Sequence, residues 1–197
     1  MNRDILKLPN LLSLFRIAMS VALYLLFVRH FNDRTVLLFI MYIIIALTDL
    51  VDGIIARKFN MVTELGKELD PMADKVLVFL MLFAFFRVGL LPWWVILPVF
   101  LRDFYVNSLR RRSKQLGISF KTSNIAKAKT AVQMIFIGFV LGIPVAQSLD
   151  LSTGFNHFLY DLYSGNALLI IMCAVMVFTV YTGVDYFVKF RRELNKL

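Results

Sequence analysis

The sequence contains little that could cross-link the chain or bind a soft metal. Its 197 residues include one cysteine, Cys173, and two histidines, His30 and His157. A single thiol cannot form an internal disulfide and says nothing about the redox compartment. Neither histidine lies near the aspartates between Asp49 and Asp74 in sequence, so no histidine or cysteine is available there to recruit zinc. The sequence also has no internal repeat and no low-complexity segment.

Hydrophobic residues, in contrast, make up 59% of the chain. A soluble domain is about 45–50% apolar, so the composition predicts an integral membrane protein. We expect one all-α domain over residues 1–197 with six transmembrane helices, because six apolar runs can each cross a core of about 30 Å. The first run has no small-residue cleavage site and predicts a retained helix. The six runs are 9–28, 35–56, 69–88, 92–110, 125–149 and 165–187.

Lysine and arginine give the chain a net charge of +9, and their positions predict its orientation. In a six-span arrangement all of them except Arg29, Arg34 and Arg87 fall on one side of the membrane. The positive-inside rule then places both termini in the cytoplasm. The basic clusters flank membrane spans and would also attract anionic headgroups. No nucleic-acid recognition module accompanies them, so we expect no nucleic-acid partner.

Four aspartates occupy the predicted cytoplasmic ends of the second and third spans. Placing one acidic side chain in a membrane helix costs about 2.5–3.5 kcal/mol of insertion free energy. Four such residues therefore indicate a functional site. At 100° per residue, Asp49 and Asp52 share one helix face, and Asp70 and Asp74 share a stripe of the next helix with Gly66. Two helices joined by a short connection are antiparallel neighbours, so these two faces can lie opposite each other. The four carboxylates would then form an oxygen-ligand site, which suits Mg²⁺, Mn²⁺ or Ca²⁺. Two such ions would fit an in-line phosphoryl displacement.

Two alternatives remain at this point. Gly53 and Ala56, on the face of the first two aspartates, either leave room for a ligand or serve helix–helix packing. The carboxylates could also line a cation or proton pathway. No second acidic cluster lies on the far side and no broken-helix repeat is visible, which favours an enzyme over a transporter or metal channel.

The spacing D-x₂-D-G-x₂-A-R-x₈-G-x₃-D-x₃-D resembles the signature of the CDP-alcohol phosphotransferases. The flanking sequence from about residue 8 to 134 is similar to the bacterial phosphatidylglycerophosphate synthases of that family. The similar segments are 8–16, 69–78 and the block from Arg102 to Met134. The signature matches at Asp49, Asp52, Gly53, Ala56, Arg57, Gly66, Asp70 and Asp74.

The resemblance implies a transferase that moves the phosphatidyl group of CDP-diacylglycerol to sn-glycerol 3-phosphate and releases CMP. Two divalent cations, Mg²⁺ or Mn²⁺, would bind Asp49, Asp52, Asp70 and Asp74, and Asp74 would also be the general base. It implies CDP contacts from Thr48, Asp49, Gly53, Ala56, Arg57 and Gly66.

The resemblance further implies a homodimer in a bacterial plasma or inner membrane with its active site facing the cytoplasm. An acceptor with a phosphate dianion needs fixed positive charge, for which Arg110, Lys127 and Lys129 are candidates. Any of the three could instead be a topology determinant. Cardiolipin synthase and phosphatidylinositol-phosphate synthase share the signature and remain alternatives.

Overall fold

The computed structural model describes residues 8–31, 33–58, 64–116, 124–149 and 152–195. Within these ranges it describes no side chains for 8–10, 49–58, 64–71, 114, 124–127 and 164. The described residues form seven α-helices and no strand. The helices are α1 (Leu8–His30), α2 (Thr35–Lys58), α3 (Glu64–Arg87), α4 (Trp93–Gln115), α5 (Asn124–Ser148), α6 (Thr153–Ser164) and α7 (Ala167–Leu194).

The all-helical class predicted from the apolar runs is confirmed, and the six runs correspond to α1–α5 and α7. Among the described residues, three stretches are long and apolar enough to cross a membrane: Leu11–His30, Ala128–Ser148 and Ala167–Leu194. The third and fourth runs are separate helices. Gly89 divides them with a φ of 80°, a left-handed conformation that glycine adopts without steric cost.

Two details of the helices differ from the sequence-based expectation. Pro71 is expected in the first turn of the third helix, but α3 begins at Glu64, so the proline lies in the helix interior. Interior prolines also occur at Pro98 in α4 and Pro144 in α5. Membrane helices tolerate them because neighbouring groups satisfy the freed carbonyls.

The second difference is α6, a twelve-residue helix in the connection before the last long helix. Its N-terminus is capped by Ser152, whose Oγ accepts a hydrogen bond from the backbone N–H of Phe155. Such caps satisfy one of the unpaired donors of a first turn. Leu159 faces the core, while Phe158 and Tyr160 are exposed. The helix is too short to span a bilayer.

The helices pack so that α1 contacts both α2 and α3, while α5 contacts α2, α3, α6 and α7. α4 packs mainly against α7. Aromatic rings fill the centre: Phe27 of α1 meets Phe85 of α3 edge to face at 5.5 Å between centroids, and Phe85 meets Phe136 of α5 at 6.5 Å. Such contacts stabilise a core beyond the apolar area that they bury.

Candidate active site

The backbone of the signature segment is helical up to Lys58 and again from Glu64, and residues 59–63 lie outside the described residues. Asp49 and Asp52 lie in α2, and Asp70 and Asp74 lie in α3. The three- and four-residue spacings therefore fall on α-helices, as the periodicity predicts. The side chains of Asp49, Asp52 and Asp70 lie outside the described residues. Whether the two stripes face each other stays a prediction.

Asp74 is the aspartate of the signature whose side chain is described. Its Oδ1 accepts a hydrogen bond from Nη1 of Arg16 in α1, at 2.8 Å. The carboxyl is 26% exposed and the arginine only 1%. A charge-assisted bond of this length is among the stronger interactions in proteins. The first helix therefore forms one wall of the region that contains the signature.

The face of α1 that carries Arg16 is polar and buried. Ser13, Arg16 and Ser20 have almost no exposed surface, and their spacing places them on one side of a helix. The hydroxyl of Ser20 donates to the backbone carbonyl of Arg16 at 2.7 Å. Further along the same helix the buried residues are apolar, with Leu23 and Phe27 in the main core. Buried polarity in α1 is thus confined to the half that contacts Asp74.

The metal site predicted from the four aspartates has the right donor chemistry but only one described member. Carboxylate oxygens are the ligands that hard divalent cations prefer. Among the side chains that the structure describes, no group of three or more His, Cys, Asp or Glu residues is placed to hold a metal ion. The side chains of Asp49, Asp52 and Asp70, the other predicted ligands, are not among those that the structure describes. The two-cation site remains a prediction.

The predicted nucleotide-binding residues are also mostly outside the described side chains. Thr48 is the exception, and its Oγ1 donates to the backbone carbonyl of Ile44 at 2.7 Å within α2. The side chains of Asp49, Ala56 and Arg57 lie outside the described residues. For Gly53 and Gly66 only the helical backbone is described, and not their surroundings.

The three predicted acceptor-binding cations differ in their surroundings. Arg110 is exposed near the end of α4, with Cζ 5.8 Å from the ring centroid of Tyr186 in α7, a distance typical of a cation–π contact. Lys129 is buried, and its Nζ donates to both carboxylate oxygens of Asp103 at 2.6 Å. The side chain of Lys127 lies outside the described residues.

Asp103 joins two cations from different helices. Besides Lys129 of α5, it accepts a hydrogen bond from Nη1 of Arg102 in α4 at 2.8 Å. The stem of Arg102 lies against Gly183 of α7, where a Cβ atom would stand 2.7 Å from Cγ of the arginine. Glycine at this position therefore makes the close approach of α4 and α7 possible. The cluster therefore connects α4 with α5 through the ion pairs and lies against α7 through Gly183.

A groove of about 750 Å³ lies between α3 and α4, beside the Asp74 region. One part of its lining is polar: Lys75 donates to Oδ1 of Asn107 at 2.7 Å, and Arg110 and Arg111 lie nearby. The rest is apolar and includes Phe79 and Phe100. The arrangement combines positive charge with an apolar wall, which suits a molecule with an anionic head and a hydrocarbon tail.

Sequence reasoning missed two participants in this region, Arg16 and Asp103. Both are charged residues that follow apolar stretches of long helices, Arg16 in α1 and Asp103 in α4. A buried charge in such a helix calls for a partner, so their positions were a usable signal. The identity of each partner was not, because Arg16 and Asp74 are 58 residues apart in the chain.

The described structure combines an all-helical architecture, the aspartate signature on α2 and α3, and an ion pair between Asp74 and Arg16 of α1. A family model for CDP-alcohol phosphatidyltransferase matches residues 6–181. The chain therefore belongs to the CDP-alcohol phosphatidyltransferase family.

Individual relatives in that family carry a more specific name. A protein of Mycobacterium tuberculosis (strain CDC 1551 / Oshkosh), named "Probable phosphatidylglycerophosphate synthase", is 32% identical over 97% of this chain and 85% of its own length. Two others are named "CDP-diacylglycerol--glycerol-3-phosphate 3-phosphatidyltransferase". The Rickettsia bellii protein is 36% identical over 92% of this chain and 93% of its own. The Bacillus subtilis (strain 168) protein is 30% identical over 93% and 94%.

Proposed function

We propose that this protein is a phosphatidylglycerophosphate synthase, which transfers the phosphatidyl group of CDP-diacylglycerol to sn-glycerol 3-phosphate and releases CMP. The observation that carries the proposal is the complete aspartate signature on two helices of this chain. Relatives named for this activity match the chain over more than nine-tenths of their own length. The signature supports the family's chemistry, and the relatives support the acceptor.

In the proposed reaction, Asp74 takes the proton from a hydroxyl of glycerol 3-phosphate as its oxygen attacks the β-phosphorus of the CDP-lipid. A new phosphorus–oxygen bond forms to glycerol, and the bond between the β-phosphorus and CMP breaks. CMP leaves with the electron pair of that bond. When bound, two Mg²⁺ or Mn²⁺ ions on Asp49, Asp52, Asp70 and Asp74 supply charge neutralisation to the pyrophosphate.

The substrates would approach the site from different phases. Thr48, Gly53, Ala56, Arg57 and Gly66 would line or contact the nucleotide, with Asp49 beside it. The acyl chains would stay among the apolar helices, while the water-soluble acceptor enters from the cytoplasm. This division explains why a site for both substrates belongs at the membrane surface.

Binding of the acceptor phosphate requires cations close to the reacting groups. Of the two proposed residues whose side chains are described, Arg110 is the more accessible, because it is exposed and lines the polar part of the groove. An arginine can offer two parallel donors to a phosphate. Lys127 and Lys129 are proposed with it, although Lys129 has Asp103 as its partner in this structure. To bind the acceptor phosphate, Lys129 would have to contact the phosphate together with Asp103 or leave Asp103 for the phosphate.

The proposed arrangement in the membrane follows from the charge distribution. α1–α5 and α7 would form six transmembrane helices of one domain, with both termini and the active site on the cytoplasmic side. The short α6 would then lie on the opposite face. We further propose a homodimer in a bacterial inner or plasma membrane.

The test of this proposal is CMP release by purified protein in mixed micelles of CDP-diacylglycerol with Mg²⁺ or Mn²⁺. Each reaction contains one acceptor: glycerol 3-phosphate, inositol 3-phosphate, serine or phosphatidylglycerol. We expect release with glycerol 3-phosphate alone. Release only with phosphatidylglycerol would identify a cardiolipin synthase, and release only with inositol 3-phosphate would identify a phosphatidylinositol-phosphate synthase. If folded protein that binds metal releases no CMP with any of the four acceptors, the transporter interpretation gains support.

A further inference from the structure

The polar face of α1 is difficult to explain by membrane insertion alone. Arg16 lies eight residues after the start of α1, ahead of a predominantly apolar stretch at 21–28, and its side chain is among the largest fully buried ones. A buried charge is costly unless it is paired and hydrogen-bonded. A leucine at this position would avoid that cost, so the presence of a buried arginine needs a reason other than packing.

Its contact with Asp74 supplies one. The bond of 2.8 Å joins the guanidinium to the last aspartate of the signature. The remaining contact between α1 and α3 does not need this ion pair, because Leu23, Phe27, Leu77 and Phe85 pack together in the apolar core. The polar pair therefore lies where chemistry is proposed, while apolar packing holds the helices together elsewhere.

We propose that Arg16 is a positioning residue for Asp74. A carboxylate with one oxygen held by a buried guanidinium loses rotational freedom about its side-chain bonds. Its direction toward the acceptor hydroxyl is then set before substrate binds. This inference rests on the proposed function, in which Asp74 accepts the proton from the acceptor.

The geometry favours an arginine over a lysine in this role. A guanidinium is planar and offers several donors in a fixed fork, whereas an ammonium is a compact point charge on a flexible stem. The main chain at Arg16 is also held, since its carbonyl accepts the hydroxyl of Ser20. Lysine would keep the charge and lose the fixed direction.

The experiment compares wild type with Arg16→Gln and Arg16→Lys in the CMP-release assay with glycerol 3-phosphate, and measures CDP-diacylglycerol binding separately. Misplacement of a reacting group by about 1 Å costs on the order of 100-fold in rate. We expect Arg16→Gln to lower kcat by roughly that factor with both KM values and CDP-lipid binding nearly unchanged. Arg16→Lys should recover part of the loss. Arg29→Gln is the matched control, because Arg29 lies exposed at the other end of α1.

A coupling measurement separates positioning from a general structural role. In the Asp74→Asn background the carboxylate is gone, so adding Arg16→Gln should lower turnover no further. Thermal unfolding in detergent, without substrate, reports whether each variant is folded. Folded Arg16→Gln with wild-type kcat would overturn the inference, as would a loss of CDP-lipid binding that matches the loss of turnover. If wild type itself releases no CMP with any acceptor, the proposed function fails and this inference fails with it.

Discussion

Replacing Asp103 by asparagine keeps the size of the side chain but removes the charge that Lys129 contacts. In the folded protein Lys129 is 5% exposed and Asp103 18%, and Nζ lies 2.6 Å from Oδ2. Arg102 adds a second cation on the same carboxylate. The substitution therefore leaves two positive charges side by side, one of them buried. Breaking a buried pair by removing one partner costs about 3–5 kcal/mol.

A matched pair elsewhere in the chain provides the control. Asp185 and Lys189 of α7 are joined by the same 2.6 Å distance, but they are 24% and 39% exposed. Exposed ion pairs contribute only about 0–1 kcal/mol, because solvent screens them. Asp185→Asn should therefore change stability little. Burial, not the distance between the atoms, accounts for the difference between the two sites.

The assay is thermal unfolding in detergent micelles. Unfolding is monitored through the reaction of Cys173 with a thiol-reactive dye. Cys173 is partly buried against the core, so unfolding should raise its reactivity. For a chain of this length each kcal/mol shifts Tm by about 2–4 °C. We expect Asp103→Asn to lower Tm by roughly 6–20 °C and Asp185→Asn by about 4 °C at most. Equal shifts in the two variants would refute the reasoning.

Two further substitutions test other parts of the structure. Arg110→Ala should raise the KM for glycerol 3-phosphate much more than that for CDP-lipid, because it removes a proposed acceptor cation, whereas Arg112→Ala, an exposed neighbour, should change neither. Equal effects of Arg110→Ala on both KM values would sink that assignment. Gly183→Ala should lower stability by about 1–3 kcal/mol, since its Cβ would stand 2.7 Å from Cγ of Arg102. Gly154→Ala meets nothing within 4 Å and should not destabilise the protein in the same unfolding assay.

The six long helices, α1–α5 and α7, could be predicted because each is encoded locally. An apolar run long enough to cross a bilayer must satisfy its backbone groups internally, which requires a helix. The aspartates of the signature are separated by three and four residues, so their helical register could also be predicted. Both features are present in the structure, where α2 carries Asp49 and Asp52 and α3 carries Asp70 and Asp74.

The missed elements depend on information that no local pattern contains. α6 is short and mixes polar with apolar residues, so it has no bilayer-length signal. Lys129 reads as a free cytoplasmic cation until α4 places Asp103 beside it, 26 residues earlier in the chain. Arg16 likewise reads as a topology signal until α3 brings Asp74 to it. Charge patterns indicate which side of the membrane a residue occupies, but tertiary packing decides its partner.

The most direct test of the central claim is to identify the lipid product. Purified protein receives CDP-diacylglycerol, glycerol 3-phosphate and Mg²⁺ or Mn²⁺, and both products are quantified by mass spectrometry. We expect phosphatidylglycerol phosphate and CMP to form in equal amounts, and we expect EDTA to abolish both products and added cation to restore them. CMP release without phosphatidylglycerol phosphate, or equal turnover with EDTA present, would contradict the central claim.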